Sequence, residues 1–287
     1  MPILMLLIAT LSGSQPLQYG EEIQKHRAQR EVDLKGDDGW LTVAGLFWLK
    51  EGDNIAGSEK GSDIVLPAKA PARLGTFHMQ GGAVTFTADA RAHVAVDGAG
   101  VRRVALEPDS TALEAGDLRF FLIRRGDRVA IRMRDLRSRM RREFKGLEYF
   151  PIRPAYRVRA TFVAYPTPRR IPVANVLGQN PEMVSPGYVT FTLNGTRLRL
   201  EPVYETEEQE DLFFIFKDLT SGKETYPAGR YLHAPLPRDG EVLLDFNKAY
   251  NPPCAFTDFA TCPLTPKQNH LKVRIEAGEL AYHGPTQ

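Results

Sequence analysis

Short apolar runs, each closed by Gly, Asp, Asn or Pro, recur along this chain and leave room for little except β-structure. They begin at Trp40-Leu41-Thr42-Val43 and Leu46-Phe47-Trp48-Leu49 and continue at 64–66, 84–86, 93–96, 119–123 and 129–133. A second series follows at 157–163, 188–193, 197–202, 212–216, 230–232 and 241–246. Asn194-Gly195, between two of these, suits a tight hairpin, whose two central residues take positive φ. The 24 Gly and 21 Pro fit many short strands joined by turns. The stretch at 21–35 has few such breakers and reads as a polar helix, with weak apolar periodicity at Ile23, Val32 and Leu34.

At 287 residues the chain exceeds what one core usually holds, so the expected fold is all-β. It comprises two packed β-sandwich or barrel-like units with an N-terminal helix. The expected layout is a candidate signal segment at 1–14, the helix at 15–38, a β-sandwich at 39–143, a second β unit at 144–280 and a tail at 281–287. The boundary follows the change from an arginine-rich stretch into GLEYFPIRP, between residues 137 and 154. The run at 3–11, followed by Ser12-Gly13-Ser14, is too short to span a bilayer and lacks a preceding Lys or Arg. Export to the periplasm or outside is one reading; a misassigned start or a buried segment of a cytoplasmic protein is the other.

With 37 Lys and Arg against 35 Asp and Glu, a nucleic-acid partner is not expected, nor a membrane span; a small polar or anionic ligand is. There is no phosphate loop, no dinucleotide fingerprint, no Gly-x-Ser-x-Gly elbow, and the histidines lack metal spacing. No cofactor and no metal are therefore expected. Cys254 and Cys262 match no common zinc pattern. In an oxidising compartment they are a disulfide candidate worth about 2.5 kcal/mol; packed thiols are the alternative.

Chemistry-bearing residues are densest between 214 and 263. Asp245 and Asn247, two apart at a strand end, share a face, and Lys248, Tyr250 and Asn251 follow on a loop that Pro252-Pro253 stiffens. They suit a binding site; equally, they suit a hydrogen-bonded corner. In the connector before the strand at 230, Glu224 is a candidate acid or base, Tyr226 a proton donor and Arg230 an anion clamp. The competing reading is an internal salt bridge from Glu224 or Asp245 to Arg230. Arg128, Arg132 and Arg134 alternate with Val129, Ile131 and Met133, which makes either a solvated strand face or an anion-binding wall. The candidate catalytic set is thus Glu224, Tyr226, Asp245 and Tyr250. The ligand-binding set is Arg132, Arg134, Arg230, Asn247, Lys248 and Asn251.

Several blocks, GWLTVAGLFWLKEGDNIAGS, SDIVLP, FKGLEYFPIRPAYRV, SGKETYPAGRYL and DFNKAYNPPCAFTDFATCPL, resemble the bacterial and archaeal family filed as domain of unknown function 1684. The likeness covers residues 21–280 and implies no activity. Leu49-Lys50-Glu51-Gly52, Ile55-Ala56-Gly57-Ser58, Asp63-Ile64-Val65-Leu66-Pro67 and Leu113-Glu114-Ala115-Gly116-Asp117 are similar to a forkhead-associated domain, a β-sandwich that binds phosphothreonine. Ser58 stands where such domains have Arg, and Arg73-Leu74-Gly75-Thr76-Phe77-His78 where they have Ser followed by His. The resemblance implies the fold without the phosphate site. Three classes stay open: a cofactor-free hydrolytic or eliminative enzyme with a carboxylate, tyrosine and arginine pocket, a module binding a glycan or peptide, and a structural protein.

Overall fold

Period-two alternation of apolar and polar side chains, broken by turn residues, gives mainly antiparallel sheets in the computed structural model, which describes residues 14–285 except 109 and 206–209. The candidate signal segment lies almost wholly outside the described residues. Two compact units divide the described residues: 33–145 with 253–262 and 283–285, and 14–32 with 146–252 and 263–282. The segment Pro253–Cys262 thus groups with the earlier part of the chain.

In the unit built on residues 33–145, the strands are β1 (Val43–Trp48), β2 (Gly52–Gly57), β3 (Ile64–Val65), β4 (Gly75–Gln80), β5 (Ala83–Ala88), β6 (Ala95–Val96), β7 (Ala99–Gly100), β8 (Arg103–Leu106), β9 (Ala112–Ala115), β10 (Leu118–Arg125) and β11 (Arg128–Asp135). One sheet runs β1-β11-β10-β9-β6-β7 and the other β3-β2-β4-β5-β8. Their apolar faces share a core containing Phe77, Phe86, Leu113, Phe120, Leu122, Ile131 and Met133. Phe77 and Phe86, with ring centroids 4.8 Å apart, anchor the β4–β5 hairpin. Trp40–Thr42 is a single 3-10 turn rather than a strand, and the strand starts at Val43. After β11 a short helix spans Arg139–Glu143, its first turn closed by Arg141 N–H donating to Ser138 Oγ at 3.1 Å.

The other unit contains most of a helix, α1 (Ser14–Lys35), through Val32. Its strands are β12 (Arg157–Pro172), β13 (Glu182–Leu193), β14 (Thr196–Leu200), β15 (Asp211–Phe216), β16 (Arg230–Pro235) and β17 (Glu241–Asp245). The order β14-β13-β12-β17 makes a four-stranded sheet, and β15 pairs with β16. At the β13–β14 hairpin Asn194 and Gly195 have φ of 50° and 77°, the pair of positive values that the dipeptide supplies. β12 outlasts the expected 157–163 because the ladder with β13 slips between Ala164 and Arg169, where Pro166 and Pro168 can donate no hydrogen bond. Phe191, Leu212, Phe214, Phe216, Leu244 and Phe246 form the core.

Helix α1 carries little apolar surface, burying Ile23 and Leu34 while Val32 is exposed. Polar contacts hold it instead. Arg27 donates to Phe150 O at 2.9 Å and stacks on the Tyr149 ring, and Glu31 Oε1 accepts from Leu147 N–H at 2.9 Å. None of the described helices is long and apolar enough to cross a membrane.

Candidate functional site

The end of β17 turns sharply, because Asp245 Oδ1 accepts from Asn247 N–H at 3.1 Å and so caps a single 3-10 turn. That turn puts Asp245 and Asn247 beneath α1, both buried. The Tyr19 hydroxyl lies 2.9 and 3.0 Å from the two Asp245 oxygens, and Asn247 Nδ2 donates to the same hydroxyl at 2.9 Å. Asn247 also bonds the backbone of Arg153 in both directions. Burial, reinforced by the Asp245 charge, pushes the Tyr19 phenol well up from its ordinary value, so it stays a donor. Lys248 pairs with Glu22 of the helix at 2.6 Å. Asp245, Asn247 and Lys248 therefore spend their polar atoms on α1 and the chain before β12.

Glu279 sits at the centre of a second network. Gly278, with φ of 80°, brings the backbone so close that a Cβ would fall 2.4 Å from Ala249 O. The adjacent Glu279 is thereby pinned: its N–H donates to Ala249 O at 2.8 Å, and its carboxylate takes Arg30 Nε at 3.1 Å and Asn251 N–H at 2.7 Å. Burial raises its pKa, with Arg30 and the Asn251 N–H opposing. Asn251 Nδ2 donates to Leu280 O at 2.6 Å. The crevice between these residues and the helix, bordered by Arg30, Tyr149, Asn247, Lys248 and Glu279, has about 0 Å³ for a water-sized sphere.

Arg230 is fully buried and is no anion clamp. Its guanidinium donates to the carbonyls of Ala277 and Ile275 and pairs with Asp218 at 3.5 Å. Asp218 in turn accepts from Thr220 Oγ1 at 2.8 Å and Ile275 N–H at 2.6 Å. The pair fastens the chain near 275 to the start of β16. The expected partners Glu224 and Asp245 are elsewhere: Glu224 pairs with Arg274 on the half-exposed surface. Tyr226, half-buried, sits in the turn closed by Gly229 N–H to Tyr226 O at 3.1 Å. Glu224, Arg230 and the Asp245–Asn247 pair thus occupy three separate networks, each closed by its own protein partners.

Tyr250 belongs to a different arrangement. Its backbone exchanges two 2.9 Å hydrogen bonds with Tyr231 of β16, which lays the phenol beside His233. His233 Nε2 is 2.8 Å from the Tyr250 hydroxyl, and Nδ1 is 2.8 Å from Asp211 Oδ2. In the imidazole tautomer whose Nδ1–H donates to Asp211, Nε2 keeps a lone pair that can accept from the phenol. Phe213 stacks on the imidazole at 4.9 Å, and Glu205 Oε2 lies 3.6 Å from Nε2. The Arg30 guanidinium covers the Tyr250 ring at 4.7 Å, linking this cluster to Glu279. Burial, helped by Glu205, keeps the Tyr250 phenol protonated far above its ordinary range. The His233 side chain is 33% exposed and that of Asp211 41%, so the relay reaches solvent. Sequence reasoning missed His233 and Asp211. The alternation Tyr231-Leu232-His233-Ala234 marks His233 as facing away from the core, but only the β15–β16 register brings Asp211 to it.

Arg132 and Arg134 lie in the other unit and are taken up by aromatic rings and carbonyls. Arg132 is buried and faces Trp40 at 5.2 Å; Arg134 faces Phe121 at 5.7 Å and donates to Gly39 O and Thr42 Oγ1 at 2.7 and 2.9 Å. Cys254 and Cys262 carry thiols with no bridge between them, and Cys254 N–H donates to Cys262 Sγ at 3.1 Å. Ser58, at the position compared with a phosphate-binding Arg, donates to Ala70 O at 2.9 Å. Among the described residues no group of three or more His, Cys, Asp or Glu is placed to hold a metal ion.

An all-β protein with an N-terminal helix and a half-exposed Asp–His–Tyr cluster is what fold and geometry define. Residues 142–280 match the family described as Protein of unknown function (DUF1684), and the chain belongs to that family. An uncharacterized protein of Haloarcula marismortui, solved by solution NMR, is 34% identical; the match covers 49% of this chain and 79% of that one, with a TM-score of 0.42. A crystal structure of the FhaA FHA domain, complexed with the intracellular domain of a second protein, is 19% identical over 31% of this chain and 97% of that one. A further FHA domain, from a study of phosphothreonine-dependent interactions, is 19% identical over 31% of this chain and 92% of that one. Both have TM-scores of 0.23, at which the likeness carries no argument on binding. No curated protein matches the chain.

Proposed function

We propose that the chain is a cofactor-free enzyme, hydrolytic or eliminative, that moves protons through Asp211, His233 and Tyr250 on a small polar or anionic substrate. The observation that carries this reading is the imidazole held at 2.8 Å on both nitrogens, by a carboxylate and by a phenol. Asp211 fixes the tautomer, His233 takes up and returns the proton, and Tyr250 presents it to the substrate. Arg30 orients the phenol and supplies positive charge beside it. The setting that goes with this reading is the periplasm or the exterior, supported by the apolar run at 3–11.

The test is turnover of a panel of activated esters, phosphates and β-substituted acids, followed by His233→Gln and Tyr250→Phe. Removing either group should lower the rate by about a hundredfold or more, the ordinary worth of a positioned acid or base. Equal rates in wild type and both variants on every substrate turned over would refute the reading.

A second reading, a module binding an anionic glycan or peptide, rests on the outer face of the four-stranded sheet. There a concavity of about 460 Å³ is bordered by Arg159, Thr161, Thr190, Thr192 and Arg197. Guanidinium groups beside hydroxyls suit sulfate, phosphate or carboxylate groups. Calorimetric titration with a sulfated oligosaccharide and its desulfated form separates the readings: binding of the sulfated form alone, lost in Arg197→Ala, supports this one.

A further inference from the structure

The segment Pro253–Cys262 is held tightly enough to keep its two cysteines in contact. Phe256 and Ala260 are buried, Phe256 N–H donates to Pro253 O at 2.9 Å, and Thr257 Oγ1 donates to Val43 O at 3.2 Å. At its other end Arg125 Nε donates to Thr261 Oγ1 at 2.9 Å. Within this frame Cys254 N–H donates to Cys262 Sγ at 3.1 Å. Cys262 is 5% exposed, whereas Cys254 is only partly covered. The two thiols thus differ in access, and the backbone of one residue touches the sulfur of the other.

We propose that Cys254 and Cys262 form a reversible dithiol–disulfide couple, in which Cys254 attacks a low-molecular-weight disulfide and Cys262 resolves the adduct. Cys254 thiolate displaces one thiolate from the small disulfide and leaves a mixed disulfide. Cys262, after losing its proton, then attacks the Cys254 sulfur and expels the second small thiolate. One protein disulfide forms, the small disulfide is reduced to two thiols, and both electrons go to it. The attacking role falls to Cys254 because it is the more exposed sulfur. Its thiolate is also favoured: the hydrogen bond from the Cys262 side chain lowers the Cys254 pKa, burial and the Asp258 charge oppose this, and the Cys262 backbone and Arg132 lower it further. The Cys254 backbone already lies 3.1 Å from Cys262 Sγ, so the bridge would close between residues that are neighbours in the fold.

The full-length protein is equilibrated in glutathione buffers from fully reduced to mostly oxidised, acid-quenched, unfolded, alkylated with a maleimide and weighed by mass spectrometry. Wild type should pass from two alkylated thiols to none in a single step, without accumulating a glutathione adduct, and excess dithiothreitol should restore both. Cys262→Ser should trap glutathione on Cys254, and Cys254→Ser should take up at least tenfold less on Cys262 under the same conditions. Two alkylated thiols in wild type at every ratio would overturn the couple. An adduct that accumulates on Cys262 as readily as on Cys254 would overturn the assignment of the attacking sulfur.

Discussion

The buried polar networks and the cluster around His233 belong to the same unit, yet they differ in one physical respect. Asp245, Asn247, Arg230 and Glu279 are buried, and protein groups meet their charges and principal polar atoms. His233, Asp211 and Glu205 keep a face toward solvent while remaining fixed by hydrogen bonds or stacking. A dense set of ionisable residues therefore does not mark a reactive site. Buried and mutually satisfied, it is scaffold; oriented but incompletely covered, it is poised for proton transfer.

The largest expected effect is on the scaffold side. Arg230→Met leaves Asp218 buried without its cation and strips donors from the carbonyls of Ile275 and Ala277. The urea midpoint should fall by an amount equivalent to about 3–5 kcal/mol, the cost of breaking a buried pair from one side. A shift under about 1 kcal/mol would mean that the pair is not structural.

Tyr19→Phe should cost about 1.5–3 kcal/mol, since the phenol donates to a charged carboxylate. The loss should vanish in an Asp245→Asn background if the two residues act through that bond, and it should persist there if Tyr19 contributes through packing alone.

Glu279 gives a smaller effect with a defined pH sign. Its native pKa lies above the ordinary 4.5, so the native state binds more protons than the unfolded chain between 4.5 and the raised value. Wild-type stability contributed by this group is full below pH 4.5 and declines as pH rises through that window. The difference in unfolding free energy between wild type and Glu279→Gln should accordingly shift toward the variant from pH 4.5 to 7; a shift toward wild type would contradict the burial argument.

Much of this fold is written in local pattern. Asn194-Gly195 forms the expected hairpin, and Val129, Ile131 and Met133 face the core as period-two alternation requires. Strand β2 escapes such a reading because GDNIAG looks like a turn; its Asn54 is buried only because its amide bonds the carbonyls of Lys50, Gly52 and Phe77. Of the site, Tyr250 and the Asp245–Asn247 pair were visible as chemistry at a strand end. Their partners were not, since Tyr19 and Arg30 come from a helix far away in sequence whose polar face gives no apolar signal. The relay itself depends on strand register, which a single sequence does not specify.

The most direct test of the contrast is a pair of urea denaturation curves, for Asp245→Asn and His233→Gln, read beside wild type under one condition. The account predicts that Asp245→Asn is destabilised by about 1–3 kcal/mol, because the Tyr19 and Asn247 donors lose a charged acceptor. His233→Gln should stay within about 0.5 kcal/mol of wild type, as a half-exposed side chain outside the core. The reverse order, with Asp245→Asn unchanged and His233→Gln strongly destabilised, would contradict the division between scaffold and site.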